Sequence, residues 1–435
     1  MHQLAASILG DTTWSSWFVA AVVTYYAALW LVALITQGHD PVNSFHPSVV
    51  LMVPARNEEL VIGDTVRSLL ELDYDDFLVI VLDDGSEDAT ATIVAEVAAT
   101  DARVMLVRRG PEIAGTGKSD VLNHGFRIIN DLVDSADVRL HGRGPGDVLV
   151  GIVDADGWLD RRTLRTVAPY FDDPCTGQLQ IGVKIYNARE NVLTRMQDME
   201  FVGFTSLVQV ARDRIGSSGL GGNGQFTRLA ALRDLGGLPW NPRSLTEDLD
   251  LGIRLVLRGW VTRFTSTVSV HQQGLTTWGP LLRQRTRWIQ GHYQCWRYLP
   301  ALATSRRAGL AARLDLMNYL LLVVTVVVVT FNLVMGLLGA AGLVSVQNHF
   351  LSTVPAGGLR QLLEGFFVFT PIVAFTYTYQ RHSDDPLRWW EVPAFGLIFT
   401  GYSYVWITVT LRAWVRLALR RNGWTKTPRV EVVAP

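Results

Sequence analysis

The stretch VLVGIVDAD, residues 148–156, decides how the rest of the chain is read. Six apolar or small residues in a row suit a strand buried on both faces, as in parallel sheets covered by helices. Asp154, Ala155 and Asp156 then fall at the carboxyl end of that strand, where open α/β sheets bind their ligands. Residues 49–53, 78–82 and 104–107 are further apolar runs of strand length, and the second closes on Asp83, Asp84, Gly85 and Ser86. Helical periodicity at 59–72, 90–99 and 119–130 separates them, so the expectation is an α/β domain with a mostly parallel sheet.

Carboxylates crowded at strand ends in a partly buried crevice repel each other, because like charges about 4 Å apart cost kilocalories at protein-like dielectric. A hard divalent cation, magnesium or manganese, that also bridges two phosphates would offset this and neutralise a departing nucleoside diphosphate. Asp83-Asp84-Gly85 taken alone also reads as a turn.

Residues 115–119, GTGKS, suggest a phosphate-binding loop, since glycine amides and a lysine before a helix suit an anion. The Walker A spacing fails, because position 112 is Glu rather than Gly. Lys118 reads either as a contact to a diphosphate or as a solvated loop lysine. Thr246, Glu247 and Asp248 open a helix over 249–257 that ends at Gly259; capping and dipole compensation account for these residue types, and so does acid–base chemistry. Gln284, Arg285, Thr286, Arg287 and Trp288 precede an apolar run. They read as membrane-interface anchors or as a sugar platform, with an indole stacked on a sugar ring and an arginine forked to phosphate or hydroxyls.

With 435 residues, 49% of them hydrophobic, and a net charge of −1, the chain lacks the basic field that nucleic acid requires and is too apolar for a purely soluble protein. Its two cysteines, Cys175 and Cys295, have neither disulfide-framework nor zinc spacing and read as packing residues. Residues 14–35 form an uncharged run long enough to cross a bilayer, and 1–13 lack the basic region of a cleaved signal. Further apolar runs lie at 316–346, at 365–380 around Pro371, and at 392–411. The expected organisation is a transmembrane helix within 1–42, a cytosolic catalytic domain over 43–281, interfacial helices over 282–314, a transmembrane region over 315–417 and a cytosolic tail from 418.

Taken in order, Asp83-Asp84-Gly85, Asp154-Ala155-Asp156, Thr246-Glu247-Asp248 and Gln284-x-x-Arg287-Trp288 resemble the signature of processive family 2 glycosyltransferases. These are the membrane synthases of cellulose, chitin, hyaluronan and poly-N-acetylglucosamine. The resemblance covers about residues 49–288 and implies a GT-A-type nucleotide-sugar-binding domain inserted between transmembrane helices. It implies that Pro54, Asp83 and Asp84 hold the nucleoside, that Lys118 holds the diphosphate region, and that Asp156, helped by Asp154, holds Mg2+ or Mn2+. Asp248 would be the general base that takes the proton of the attacking hydroxyl. Glu247 would also contact substrate, and Gln284, Arg287 and Trp288 would hold the donor and the acceptor end at the mouth of a membrane channel. Residues 423–429 resemble a segment that follows the last span of hyaluronan-type synthases. Where many relatives carry Glu-x-Pro, this chain has Val270-His271-Gln272-Gln273, so His271 is either a metal or phosphate contact or a packed turn histidine.

The activity this implies is inverting transfer from a nucleotide sugar, UDP-linked by resemblance, to extend and export a β-linked polysaccharide. Transfer of one sugar to a lipid carrier is the alternative, and a transporter or receptor that only binds nucleotides is a third. Partners would be the donor, a saccharide or lipid-linked acceptor, membrane lipids and an accessory subunit of unknown kind, in the cell's inner membrane. Nucleotide sugars are cytosolic, which places the N-terminus outside. If all three later runs cross, the C-terminus is outside as well, against the positive-inside rule applied to Arg412, Arg416, Arg420, Arg421, Lys426 and Arg429. One run must then not span. The short run at 365–380 with its proline is the expected broken or re-entrant element.

Overall fold

The computed structural model describes residues 11–36, 40–352, 354 and 357–419. The segment 423–429 and the basic residues from Arg420 onward lie outside the described residues.

Eight strands form one sheet in the order β3-β2-β1-β4-β7-β6-β8-β5. Strands β1 (Ser48–Ala55), β2 (Phe77–Asp83), β3 (Val104–Arg108) and β4 (Val148–Ile152) pair in parallel, with Val49 opposite both Phe77 and Leu149. All four expected strands are present. Every residue of β2 and β4 is buried, and alternate residues of β1 feed two cores. Val49, Leu51 and Val53 pack with Ile62, Val66 and Leu69 of α2 (Ile62–Leu70) and Val94 of α3 (Thr90–Thr100). Val50 and Met52 pack with Leu122, Phe126 and Ile129 of α4 (Lys118–Asp134). Burying apolar side chains on both faces, at about 25 cal/mol per Å² of area, is what requires helices on both sides of this sheet.

The second half of the sheet is mixed rather than parallel. Strand β7 (Gln225–Arg228) runs antiparallel to β4 and to β6 (Thr176–Ile185), and β5 (Trp158–Leu159) antiparallel to β8 (Val261–Gln272), while β6 and β8 are parallel. Sequence reading misses β6 and β8 because TGQLQIGVKI and VTRFTSTVSVHQ interleave Gln, Lys, Thr and Ser with their apolar residues. Several of those polar side chains, Gln178 and Gln180 among them, are themselves buried, so no continuous apolar run marks the strand.

Among the described residues, four helices are long and apolar enough to cross a membrane: α1 (Thr13–Ile35), Leu322–Ala340, Gly358–His382 and the pair within Val392–Ala418. The run around Pro371 is therefore no broken element. It lies inside a continuous helix of 25 residues, about 37 Å long at 1.5 Å per residue. Its first turns extend the apolar run with a paired Arg360 and Glu364 at 2.9 Å. Helices α1 and Leu322–Ala340 lie antiparallel, with Trp14 stacked on Phe331 and Ser15 Oγ 3.1 Å from Asn332 Oδ1. The last pair, Val392–Ser403 and Val405–Ala418, packs against apolar and domain-side helices alike, with Phe399 5.2 Å from the Phe375 ring. Tyr402 hydrogen-bonds Glu200 at 2.6 Å, Arg416 bonds Gln290 at 3.0 Å, and Val409 and Ala413 meet Ile289 and Val323.

Both cysteines are free; Cys295 is buried, but Cys175 is exposed and does not pack as expected.

Candidate active site

A cavity of about 750 Å³ opens over the carboxyl ends of β1, β2 and β4 and continues between the apolar helices. The donor end is built from strand ends. Pro54 and Asp84 line it, and Asp84 Oδ1 accepts from the Gly115 amide at 3.0 Å and from the Arg109 guanidinium. Arg109 in turn reaches Thr116 Oγ1 at 3.1 Å, so the glycine-containing loop before α4 is tied to Asp84. Asp83 does not reach the cavity. Its carboxylate is fully buried, caps the Ser86 amide at 3.1 Å and meets Arg108 Nε at 3.2 Å, because consecutive residues leaving a strand point to opposite faces. For this residue the turn reading describes what the side chain does.

Lys118, the first residue of α4, sends Nζ to Asp154 Oδ1 at 2.6 Å and to the Gly222 carbonyl at 3.1 Å, with Glu247 Oε1 at 3.8 Å. Burial works against its ammonium, but Asp154, Glu247 and Asp248 outweigh that and raise its pKa, so it stays charged. It is not a solvated lysine. Asp154 lines the cavity, whereas Asp156 is 4% exposed and its Oδ2 accepts from the Gln273 amide at 3.2 Å. The chain turns between them, with Gly157 N bonded to Asp154 O at 2.8 Å, which parts two carboxylates that sequence reading treats as one pair.

Helix α7 (Glu247–Arg258) presents Glu247 and Asp248 in its first turn, and ends at Gly259 with φ +97°. Thr246 stands at the N-cap position but makes no side-chain cap hydrogen bond; a Cβ at Gly291 would collide with its side chain. Desolvation, then the adjacent Glu247 carboxylate, pushes the Asp248 pKa up to about 7. That value suits a group that must take a proton near neutral pH.

Helix α8 (Trp278–Cys295) carries Gln284, Arg287 and Trp288 along the cavity wall. Arg287 Nη1 donates to the Leu245 carbonyl at 3.2 Å, tying α8 to the loop before α7. One turn on, His292 also lines the cavity, and burial lowers its pKa to about 4, so it is neutral. His271 is elsewhere: its Nε2 lies 2.9 Å from Asp160 Oδ1 and its ring is edge-on to Trp158, as a packed histidine.

Sequence reading passed over the loop Gly219-Leu220-Gly221-Gly222-Asn223-Gly224. Asn223 Oδ1 accepts the Asp154 amide at 3.1 Å, and its Nδ2 donates to Gln272 Oε1 at 3.0 Å. Four glycines in six residues were the available signal.

No group of three His, Cys, Asp or Glu able to hold a metal by itself occurs among the described residues. The cavity-facing Asp154 would suit a divalent cation if donor phosphates supplied further oxygen ligands.

Residues 46–291 match the family model described as glycosyltransferase like family 2. The chain is 32% identical to a beta-monoglucosyldiacylglycerol synthase of Synechocystis sp., over 95% of this chain and 83% of that one. It is 28% identical to a probable glycosyltransferase, YdaM, of Bacillus subtilis, over 88% and 87% of the two chains. The structure of the mannosyltransferase PcManGT from Pyrobaculum calidifontis, in complex with GDP-Man and Mn2+, superposes with a TM-score of 0.57 at 17% identity, covering 93% of this chain and 99% of that one. At that identity the likeness speaks for the fold alone, which is GT-A-like.

Proposed function

Because the chain belongs to glycosyltransferase family 2, we propose that it transfers a single sugar from a nucleotide-sugar donor to the hydroxyl of a membrane glycerolipid. The observation that carries this reading is the continuation of the cavity past Asp248 to Val22, Val326, Val329 and Phe375 of the apolar helices. An apolar slot suits acyl chains, whereas a growing saccharide would meet few hydrogen-bonding partners there. The near full-length similarity to a lipid glycosyltransferase supports it against the processive synthase implied by the motifs. The Gln284-x-x-Arg287-Trp288 motif favours the processive reading, and product length separates the two.

In this mechanism Pro54 and Asp84 hold the nucleoside, and Lys118 with Asp154 faces the diphosphate. A divalent cation on Asp154 would neutralise charge on the leaving diphosphate. Asp248 accepts the proton of the lipid hydroxyl as its oxygen bonds to the anomeric carbon and the bond to phosphate breaks, which inverts that centre. Gln284, Arg287 and Trp288 position the sugar between these groups.

The polar ties of the last pair to Glu200 and Gln290 favour an arrangement in which Val392–Ala418 does not cross. Three crossings would then leave catalytic domain and tail on one side, the cytosolic one, as the positive-inside rule asks of the basic tail.

The test is to supply the detergent-solubilised protein with manganese or magnesium, a panel of nucleotide sugars and diacylglycerol, measuring nucleoside diphosphate release and product mass. Release that depends on lipid and yields a one-sugar lipid is expected; long chains, or turnover without lipid, would overturn the reading.

A further inference from the structure

Arg212, in α6 (Val210–Ile215), is 1% exposed and lines the cavity near Tyr26 and Tyr319, on the side where it enters the apolar helices. Its Nε donates to Asp315 Oδ2 at 2.7 Å, Nη1 reaches Gln209 Oε1 at 3.4 Å, and the guanidinium lies 4.4 Å from the Tyr319 ring centroid. The Tyr25 hydroxyl occupies the other Asp315 oxygen. Nη2 has no hydrogen-bond partner among the described residues. Buried polar groups in native proteins are seldom left unpaired, and one on a substrate cavity wall calls for an acceptor oxygen from the ligand.

The chemistry of that oxygen follows from the charges. Asp315 already balances Arg212, so a phosphate here would bring uncompensated charge to a largely apolar wall. A neutral carbonyl would not. The position is equally restrictive: a Cβ at Gly219 would lie 3.7 Å from Arg212 Nη1, and one at Gly222 3.1 Å from Asp248 Oδ2. The two groups therefore flank one loop, at glycines three residues apart, so an acceptor lying along that loop would pass both.

We propose that Arg212 is the specificity-determining residue for the acceptor, with Nη2 donating to an ester carbonyl of a neutral glycerolipid whose free hydroxyl faces Asp248. The proposal rests on the lipid-acceptor reading above.

The test compares dioleoylglycerol with its dialkyl ether analogue, which keeps the hydroxyl and chains but lacks the carbonyls, in mixed micelles. The wild-type protein should show an acceptor KM about tenfold lower for the ester, the usual scale for one hydrogen bond to a charged group. Arg212→Lys, which keeps the charge opposite Asp315 but loses the planar fork, should bring the two lipids within about twofold while leaving the donor KM unchanged. Equal use of both lipids by the wild type would overturn the role of Arg212 and leave the lipid-acceptor reading standing. Turnover of neither would overturn both. If the variant does not fold, equal use of both lipids by the wild type still overturns the proposal.

Discussion

The Arg285 guanidinium lies 3.9 Å from the centroid of the Trp288 ring, and its Nη2 donates to Glu200 Oε2 at 2.8 Å. Tyr402 donates to the same carboxylate oxygen at 2.6 Å. The indole that faces the cavity is thus held from behind by a buried ion pair that joins α5 (Val192–Gly203) to α8 and to the Val392–Ser403 helix.

Removing the cation alone leaves the Glu200 charge buried. Arg285→Met is expected to destabilise the protein by roughly 3–5 kcal/mol, and the double variant Arg285→Met with Glu200→Gln by much less. Thermal unfolding in detergent, run as a double-mutant cycle, measures this; equal losses in single and double variants would show that the pair itself is not the origin.

Asp248 must be ionised to accept a proton, and its pKa is pushed up to about 7. Turnover should therefore rise with pH through about 7 and level off above it, because the protonated form that dominates at lower pH cannot act as a base. Glu247→Gln removes the neighbouring negative charge that helps raise this pKa, so its acid limb should move to lower pH. Asp248→Asn should lower kcat by about 10² to 10⁴ while donor affinity, measured by calorimetry, stays near wild type. An unmoved acid limb in Glu247→Gln would argue that another group sets the profile.

Lys118 connects Asp154, Glu247 and the Gly222 carbonyl. Lys118→Met should weaken donor binding by about tenfold or more, as expected for a lost charge-assisted contact to a diphosphate. The deficit should be smaller for the nucleoside alone. Competition assays with nucleoside and nucleoside diphosphate give the two values, and parallel losses would mean that Lys118 acts through the fold.

Gly222 has φ +77°, and a Cβ there would sit 3.1 Å from Asp248 Oδ2. Gly222→Ala should cost about 1–2 kcal/mol in backbone strain and also displace the base, so kcat should fall by more than the change in Tm suggests. A variant with reduced Tm and unchanged kcat would contradict that coupling.

How much of this was legible beforehand depends on how each residue is held. Strands β1, β2 and β4 show in the sequence because both faces are buried and their side chains are almost all apolar, and β3, a half-buried edge strand, shows by its short apolar run. Lys118, Asp154 and Asp248 could be named from motifs because each follows a strand end or opens a helix, and Trp288 could be named from its spacing to Gln284 and Arg287 within α8. What the sequence withheld is direction. Asp83 and Asp156 sit one and two positions from cavity-facing carboxylates, yet strand alternation directs the first and a local turn the second into the protein. Arg109 and Arg212 depend on partners 25 and 103 residues away, Asp84 and Asp315, and no local pattern announces such pairs. The processive reading has a similar origin, since the motifs report donor chemistry, whereas in the proposed reading it is the apolar helices that meet the acceptor.

The cavity that joins Lys118 to Val329 also changes what the acyl chains must undergo. Lifting a lipid wholly into water costs about 0.8 kcal/mol per methylene, which for two long chains amounts to tens of kcal/mol. A hydroxyl that reaches Asp248 while its tails remain among α1, Leu322–Ala340 and Gly358–His382 avoids that step, so turnover should depend little on tail length and strongly on how readily lipids diffuse sideways between those helices.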